Sequence, residues 1–213
     1  MRFKQQKFAL IGIAAALTMA VADVILLGQP VSGSHYNLAS FGAMEHIGAL
    51  RASIGSLLGL VAAFFICFGY WHLKKMFEPV NAREAHILFV ALCSTMFFGG
   101  AFHAGYYFLS PFVSGVLPHQ AQEKFIYHLI IMSALASPGV MAGNILFVTL
   151  ARAPRFPAWF KLCNPMAFSV LYLGLFTILP APVGGYLKPT FVNLATATFF
   201  TVCLFIQTTE KQG

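Results

Sequence analysis

Residues 8–28 read FALIGIAAALTMAVADVILLG, an apolar run interrupted by one ionisable side chain, Asp23. A helix that crosses a bilayer needs roughly 20 mostly apolar residues, and this stretch supplies them. Runs of the same kind recur at about 52–73, 85–108, 126–150, 160–180 and 189–207. Ala14-Ala15-Ala16-Leu17 and Val61-Ala62-Ala63-Phe64-Phe65-Ile66 do not alternate between apolar and polar, as the strands of a membrane barrel would. The expected fold class is all-α, an integral membrane bundle of six transmembrane helices forming one domain over residues 1–213. Turn chemistry separates the runs: Gly28-Gln29-Pro30, Glu78-Pro79, then Pro154, Pro157 and Pro165, then Pro180, Pro182, Gly184, Gly185 and Pro189. Ala20-Val21-Ala22 has the look of a signal-peptidase site, but the apolar run continues past it, so the first span is read as a retained helix.

Composition leads to the same class. Apolar residues make up 59% of the 213 and charged residues only 9%, with a mean hydropathy of +0.78. Soluble domains carry about a quarter charged residues, so a water-covered enzyme is excluded. Disorder is excluded too, because it needs low hydrophobicity. The basic residues are distributed unevenly. With the N-terminus in the cytoplasm, the inner segments hold Arg2, Lys4, Lys7, Lys74, Lys75, Arg83, Arg152, Arg155, Lys161 and Lys211, and the outer segments hold Arg51, Lys124 and Lys188. That bias predicts both termini on the cytoplasmic side of a cell inner membrane. It also accounts for the net charge of +7 through contact with anionic membrane lipids, so no nucleic-acid partner is expected. Cys67, Cys93, Cys163 and Cys203 form no C-x-x-C pair and read as small packing residues. The many phenylalanines read as lipid-facing bulk.

Ionisable groups in a bilayer cost about 2.5–3.5 kcal/mol each on insertion scales, so their placement is informative. Asp23, Arg51, Ser53, His103, Tyr106, Tyr107, His128 and Asn193 all fall toward the outer ends of their spans. Small residues at four-residue spacing mark faces where helices approach closely. Gly12, Ala16 and Ala20 lead to Asp23, while Gly55, Gly59 and Ala63 continue the line of Arg51. Gly99 precedes His103 by four, Gly139 and Gly143 lead back to His128, and Asn193 leads to Ala197. Asp23, Arg51, His103 and His128 are therefore expected to converge in a pocket in the outer leaflet. The long 29–50 connection adds Glu45 and His46. Its Leu38, Phe41, Met44 and Ile47 recur near a helical period and suggest an interfacial helix or a lid. Pro138 predicts a kink in the fourth span. Asn144 and Asn164-Pro165 suggest caps or turns.

Several chemistries suit such a pocket. Asp23, His103 and His128 supply the His/Asp set of a catalytic zinc or other divalent metal site, or an acid–base pair. Ser53 beside His103 would permit acyl transfer. Arg51, with Glu45, His46, Ser53, Tyr106 and Asn193, would bind an anionic headgroup or other small amphiphilic ligand. Haem between two histidines is less well matched, because no second pair exists for transmembrane electron transfer. The functional expectations are a hydrolase or transferase acting on a lipid or small amphiphile, a carrier or receptor for a small ligand or ion, or a structural subunit tied by an Asp23–Arg51 salt bridge. Oligomerisation is left open.

Ala22-Asp23-Val24-Ile25-Leu26-Leu27-Gly28 and Gly99-Gly100-Ala101-Phe102-His103-Ala104-Gly105-Tyr106-Tyr107 resemble an uncharacterised family of small bacterial multi-span membrane proteins, a likeness that covers most of the chain. It implies the fold and lends no activity. A looser similarity is to the membrane hydrolase superfamily of alkaline ceramidases and adiponectin-type receptors, which implies His, Asp and Ser at a metal. This chain has fewer spans and lacks that superfamily's paired histidines on the last helix.

Overall fold

A computed structural model describes residues 2–36, 48–109 and 119–209. Every regular element among them is helical. The helices are α1 (Arg2–Leu27), α2 (Ala49–Phe77), α3 (Ala82–Gly105), α4 (His119–Leu150), α5 (Pro165–Thr177), the short α6 (Val183–Leu187) and α7 (Phe191–Thr209). Single 3-10 turns at Tyr106–Leu109, Phe160–Leu162 and Lys188–Thr190 link them. Among the described residues, five stretches are long and apolar enough to cross a membrane: 6–27, 49–77, 82–105, 127–150 and 183–206. The fifth helix of the expected six, α5, has only 13 residues. At 1.5 Å per residue it covers about two thirds of a bilayer core. Its length is set by its ends: Asn164 and Pro165 start it, and the Pro180–Pro182 segment stops it.

Local chemistry fixes the helix ends at the basic side of the bundle. Asn81 Oδ1 accepts from the backbone N–H groups of Arg83 and Glu84, at 3.1 and 3.2 Å, and starts α3. Asn164 Oδ1 accepts from Ala167 N at 2.9 Å, with Pro165 in the first turn of α5. Asn144 behaves differently from its expected cap role. It lies within α4 and donates its amide to Val140 O at 2.8 Å. Helix α4 also runs unbroken through Pro138.

The helices form an open arc. In spatial order they run α5, α7, α1, α2, α3, α4, each packed on the next. The closest pairing is α1 with α2, where small residues let the backbones meet. A Cβ on Gly12 would lie 2.6 Å from Gly69 Cα, and one on Gly55 2.5 Å from Leu26 Cγ. Helices α4 and α5, neighbours in sequence, stand at the two ends of the arc without substantial contact. Phenylalanine does more than face lipid. Phe77, Phe147, Phe156, Phe160, Phe199 and Phe200 are buried at the basic end, with Phe77 edge-on to Phe147 and Phe156 at 5.7 and 5.2 Å between ring centres. The 151–164 connection folds under the bundle and carries Phe156 and Phe160 into this core. Leu50, Phe97, Val170 and Ile178 remain on the outer surface, as expected of side chains that face hydrocarbon.

Candidate functional site

Three helices bring polar side chains together near the end opposite the phenylalanine core. Asp23, one turn from the end of α1, is 4% exposed. One carboxylate oxygen, Oδ2, accepts from Asn193 Nδ2 of α7 at 2.5 Å. The other, Oδ1, lies 3.4 Å from His103 Nε2 of α3. His103 and Asn193 are buried as well. A carboxylate removed from water needs such partners, because an uncompensated buried charge is strongly destabilising.

Helix α2 completes the site by what it lacks. Gly59 lies against the His103 ring, and a Cβ there would overlap Nδ1 and Cγ and come within 2.9 Å of the His103 Cβ. Glycine is needed at this point for space. The small-residue stripe on α2 is thus the surface on which the histidine rests.

Above the pair, residues 28–36 fold across the bundle end and are pinned to the α5–α7 connection. Gln29 N donates to Gly185 O, Gly185 N to Val31 O, and Gly33 N to Leu179 O, at 3.1, 2.8 and 3.0 Å. Lys188 Nζ donates to Gly33 O at 2.7 Å. At Gly33 the backbone presses against the Phe176 carbonyl so closely that no side chain fits. This arrangement buries Tyr36 and Tyr106 near Asp23. Three buried polar atoms at this end lack a hydrogen-bond partner among the described residues: His103 Nδ1, Tyr36 Oη, and Ser56 Oγ one turn before Gly59. Sequence reasoning overlooked Tyr36 and Ser56. Ser56 follows Gly55 on the tightly packed face, which was the available signal.

The other expected site residues make different contacts. Arg51 does not pair with Asp23. Its Nε donates to Ile25 O, and its terminal nitrogen to Val24 O at 3.3 Å and Gly28 O at 2.7 Å. Helix C-termini leave carbonyls without intrahelical donors, and the guanidinium fork of Arg51 supplies donors to the end of α1. His128 reaches from α4 toward Ala101 O on α3, at 3.5 Å, so it bridges those two helices. Among the described residues, no group of three His, Cys, Asp or Glu side chains is placed to hold a metal. Ser53 uses its hydroxyl proton on Ala49 O at 2.9 Å. Tyr106 is near the pair and packs edge-on against Phe102 at 5.3 Å, whereas Tyr107 is exposed. Glu45 and His46, with the 38–47 periodicity, lie outside the described residues.

The cluster thus sets a carboxylate, an amide and an imidazole against one another out of water. A family of unknown function, DUF6796, matches residues 1–210. Neither a curated protein nor a solved structure matches the chain.

Proposed function

We propose, for a chain that belongs to this family of unknown function and takes no activity from it, that the protein is a carrier or receptor. Its buried Asp23–His103–Asn193 site would bind a small cation or protonated amine. The observation that carries this reading is the pair of unsatisfied hydroxyl oxygens at this end of the bundle, Tyr36 Oη and Ser56 Oγ. Polar groups in a membrane interior cost free energy unless they find partners, and a small polar ligand beside Asp23 would supply them. With Arg51 committed to backbone carbonyls, the charge facing a ligand is that of a carboxylate, which favours cations over anions. The basic residues support an orientation with this site at the outer face of a cytoplasmic membrane. The metal-dependent hydrolase reading has less support, because no three His, Cys, Asp or Glu side chains are grouped to hold a metal among the described residues, and Ser53 spends its proton on its own helix.

The test is a thermal-stability screen of the full chain in nanodiscs with sodium, potassium, ammonium and methylammonium salts at matched ionic strength. A ligand at a hundred times its Kd stabilises the folded state by about 2.7 kcal/mol. We expect one cation to raise the melting temperature saturably in the wild type and to have no effect on Asp23→Asn. Identical responses of the wild type and Asp23→Asn to every salt would overturn the reading.

A further inference from the structure

A second site lies in the gap at the open ends of the arc. Helices α4 and α5 stand apart there, and between them lies a cavity of about 270 Å³ floored by α2, α3 and α7. Exposed apolar side chains flank it, Met141 and Ile145 on α4 and Met166 and Val170 on α5. Its mouth therefore faces the side where lipid would lie.

The lining is mostly apolar, and apart from the Tyr70 hydroxyl its few polar groups have a common bias. Thr95, Ser169 and Thr196 each donate the hydroxyl proton to a carbonyl one turn back on their own helix, at 3.1, 2.7 and 2.9 Å. Their remaining lone pairs can only accept. Asn144 donates one of its two amide N–H groups to Val140 O at 2.8 Å. Its Oδ1 is buried without a hydrogen-bond partner among the described residues. An amide oxygen left unpaired at membrane depth has no water to turn to. These four residues thus offer acceptors, and no Asp, Glu, Lys or Arg lines the cavity. Asn144 lies six residues before the end of α4 and Ser169 four after the start of α5, so these two acceptors sit about 6–9 Å inside the basic end of the bundle, with Thr95 and Thr196 deeper. That depth and the lack of charge do not suit a phosphate headgroup. They suit an uncharged donor.

We infer that this cleft between α4 and α5 binds an amphiphile from the bilayer that carries an uncharged hydrogen-bond-donating head, of the hydroxyl class. The head donates to Asn144 Oδ1, and the apolar body lies against the wall formed by Phe147 and Met166. Access is lateral, from the lipid, and needs no passage through the Asp23 site.

The test uses the full chain in nanodiscs and two photoreactive probes, a long-chain primary alcohol with a mid-chain diazirine and its methyl ether. The ether keeps the acceptor and loses the donor. After illumination, labelled peptides are identified by mass spectrometry. The alcohol is expected to label the 140–147 and 165–170 segments at least about fivefold more than the ether, the ratio that one buried hydrogen bond supplies. Asn144→Leu should bring the two probes level, and Ser169→Phe should reduce labelling by both. The wild-type comparison needs no variant. Equal labelling of the cleft by alcohol and ether, or labelling confined to other surfaces, overturns the inference.

Discussion

Alanine at position 59 adds one methyl group at the point where α2 meets the His103 ring. In the native arrangement that methyl group would overlap Nδ1 and Cγ, so either the ring or the helix must move. Overpacking of this kind costs about 1–3 kcal/mol. Displacing the ring also removes one of the two partners of Asp23, and a hydrogen bond to a charged group contributes about 1.5–3 kcal/mol. Against these stands the better helix propensity of alanine, about 0.5–1 kcal/mol. The expected net destabilisation is about 2–5 kcal/mol. Reversible unfolding in mixed lipid–detergent micelles measures it. The diagnostic arm is the same substitution in a His103→Ala background, where the methyl group meets no ring and Asp23 has no imidazole to lose. There Gly59→Ala should be neutral or slightly stabilising, giving a coupling of at least about 2 kcal/mol. Gly99→Ala is the control, since a Cβ there meets nothing within 4 Å. Equal destabilisation by Gly59→Ala in both backgrounds would refute the idea that this glycine exists to seat the histidine.

Three further outcomes follow from the same geometry. Arg51→Lys keeps the charge but loses the fork that reaches Val24, Ile25 and Gly28, so it should lower unfolding free energy by about 1–3 kcal/mol, close to the loss in Arg51→Gln. If lysine restored full stability, the capping role would be wrong. Asn193→Ala leaves Asp23 Oδ2 without its donor and should cost about 1–3 kcal/mol; Asn193→Gln, one methylene longer, should not recover it. Reporter fusions should place the 78–81 and 151–164 turns, with their basic residues, in the cytoplasm, and the 28–36 segment outside. The opposite pattern would move the Asp23 site to the inner face.

Much of the fold is legible in the sequence because a bilayer imposes length and apolarity on each span. The α1 and α2 stripes of glycine and alanine also identify the pairing of those helices, and of the four side chains expected to converge Asp23 and His103 meet, while Asn193, outside that expected set, is the other partner of Asp23. Two failures have physical causes. Arg51 lies within reach of the carbonyls that Gly28-Gln29-Pro30 leaves unsatisfied at the end of α1. Those carbonyls compete with Asp23 for its donors, a competition invisible when only ionisable partners are considered. His128, reached by stepping back along α4 from Gly143, is directed at Ala101 O on the neighbouring α3, a backbone acceptor that competes for the imidazole as the α1 carbonyls compete for Arg51. The cleft between α4 and α5 has no sequence signature, because it arises from helices that fail to touch.

Asp23 and His103 are partners inside the bundle. Solid-state NMR on membranes containing the full chain, with 15N in histidine and 13C in the aspartate carboxyl, reads that contact directly. The expected result is a dipolar coupling between His103 Nε2 and the Asp23 carboxyl carbon that matches the 3.4 Å nitrogen–oxygen separation, absent in Asp23→Asn and weakened in Gly59→Ala. A His103 signal with no carboxyl neighbour in the wild type would contradict it.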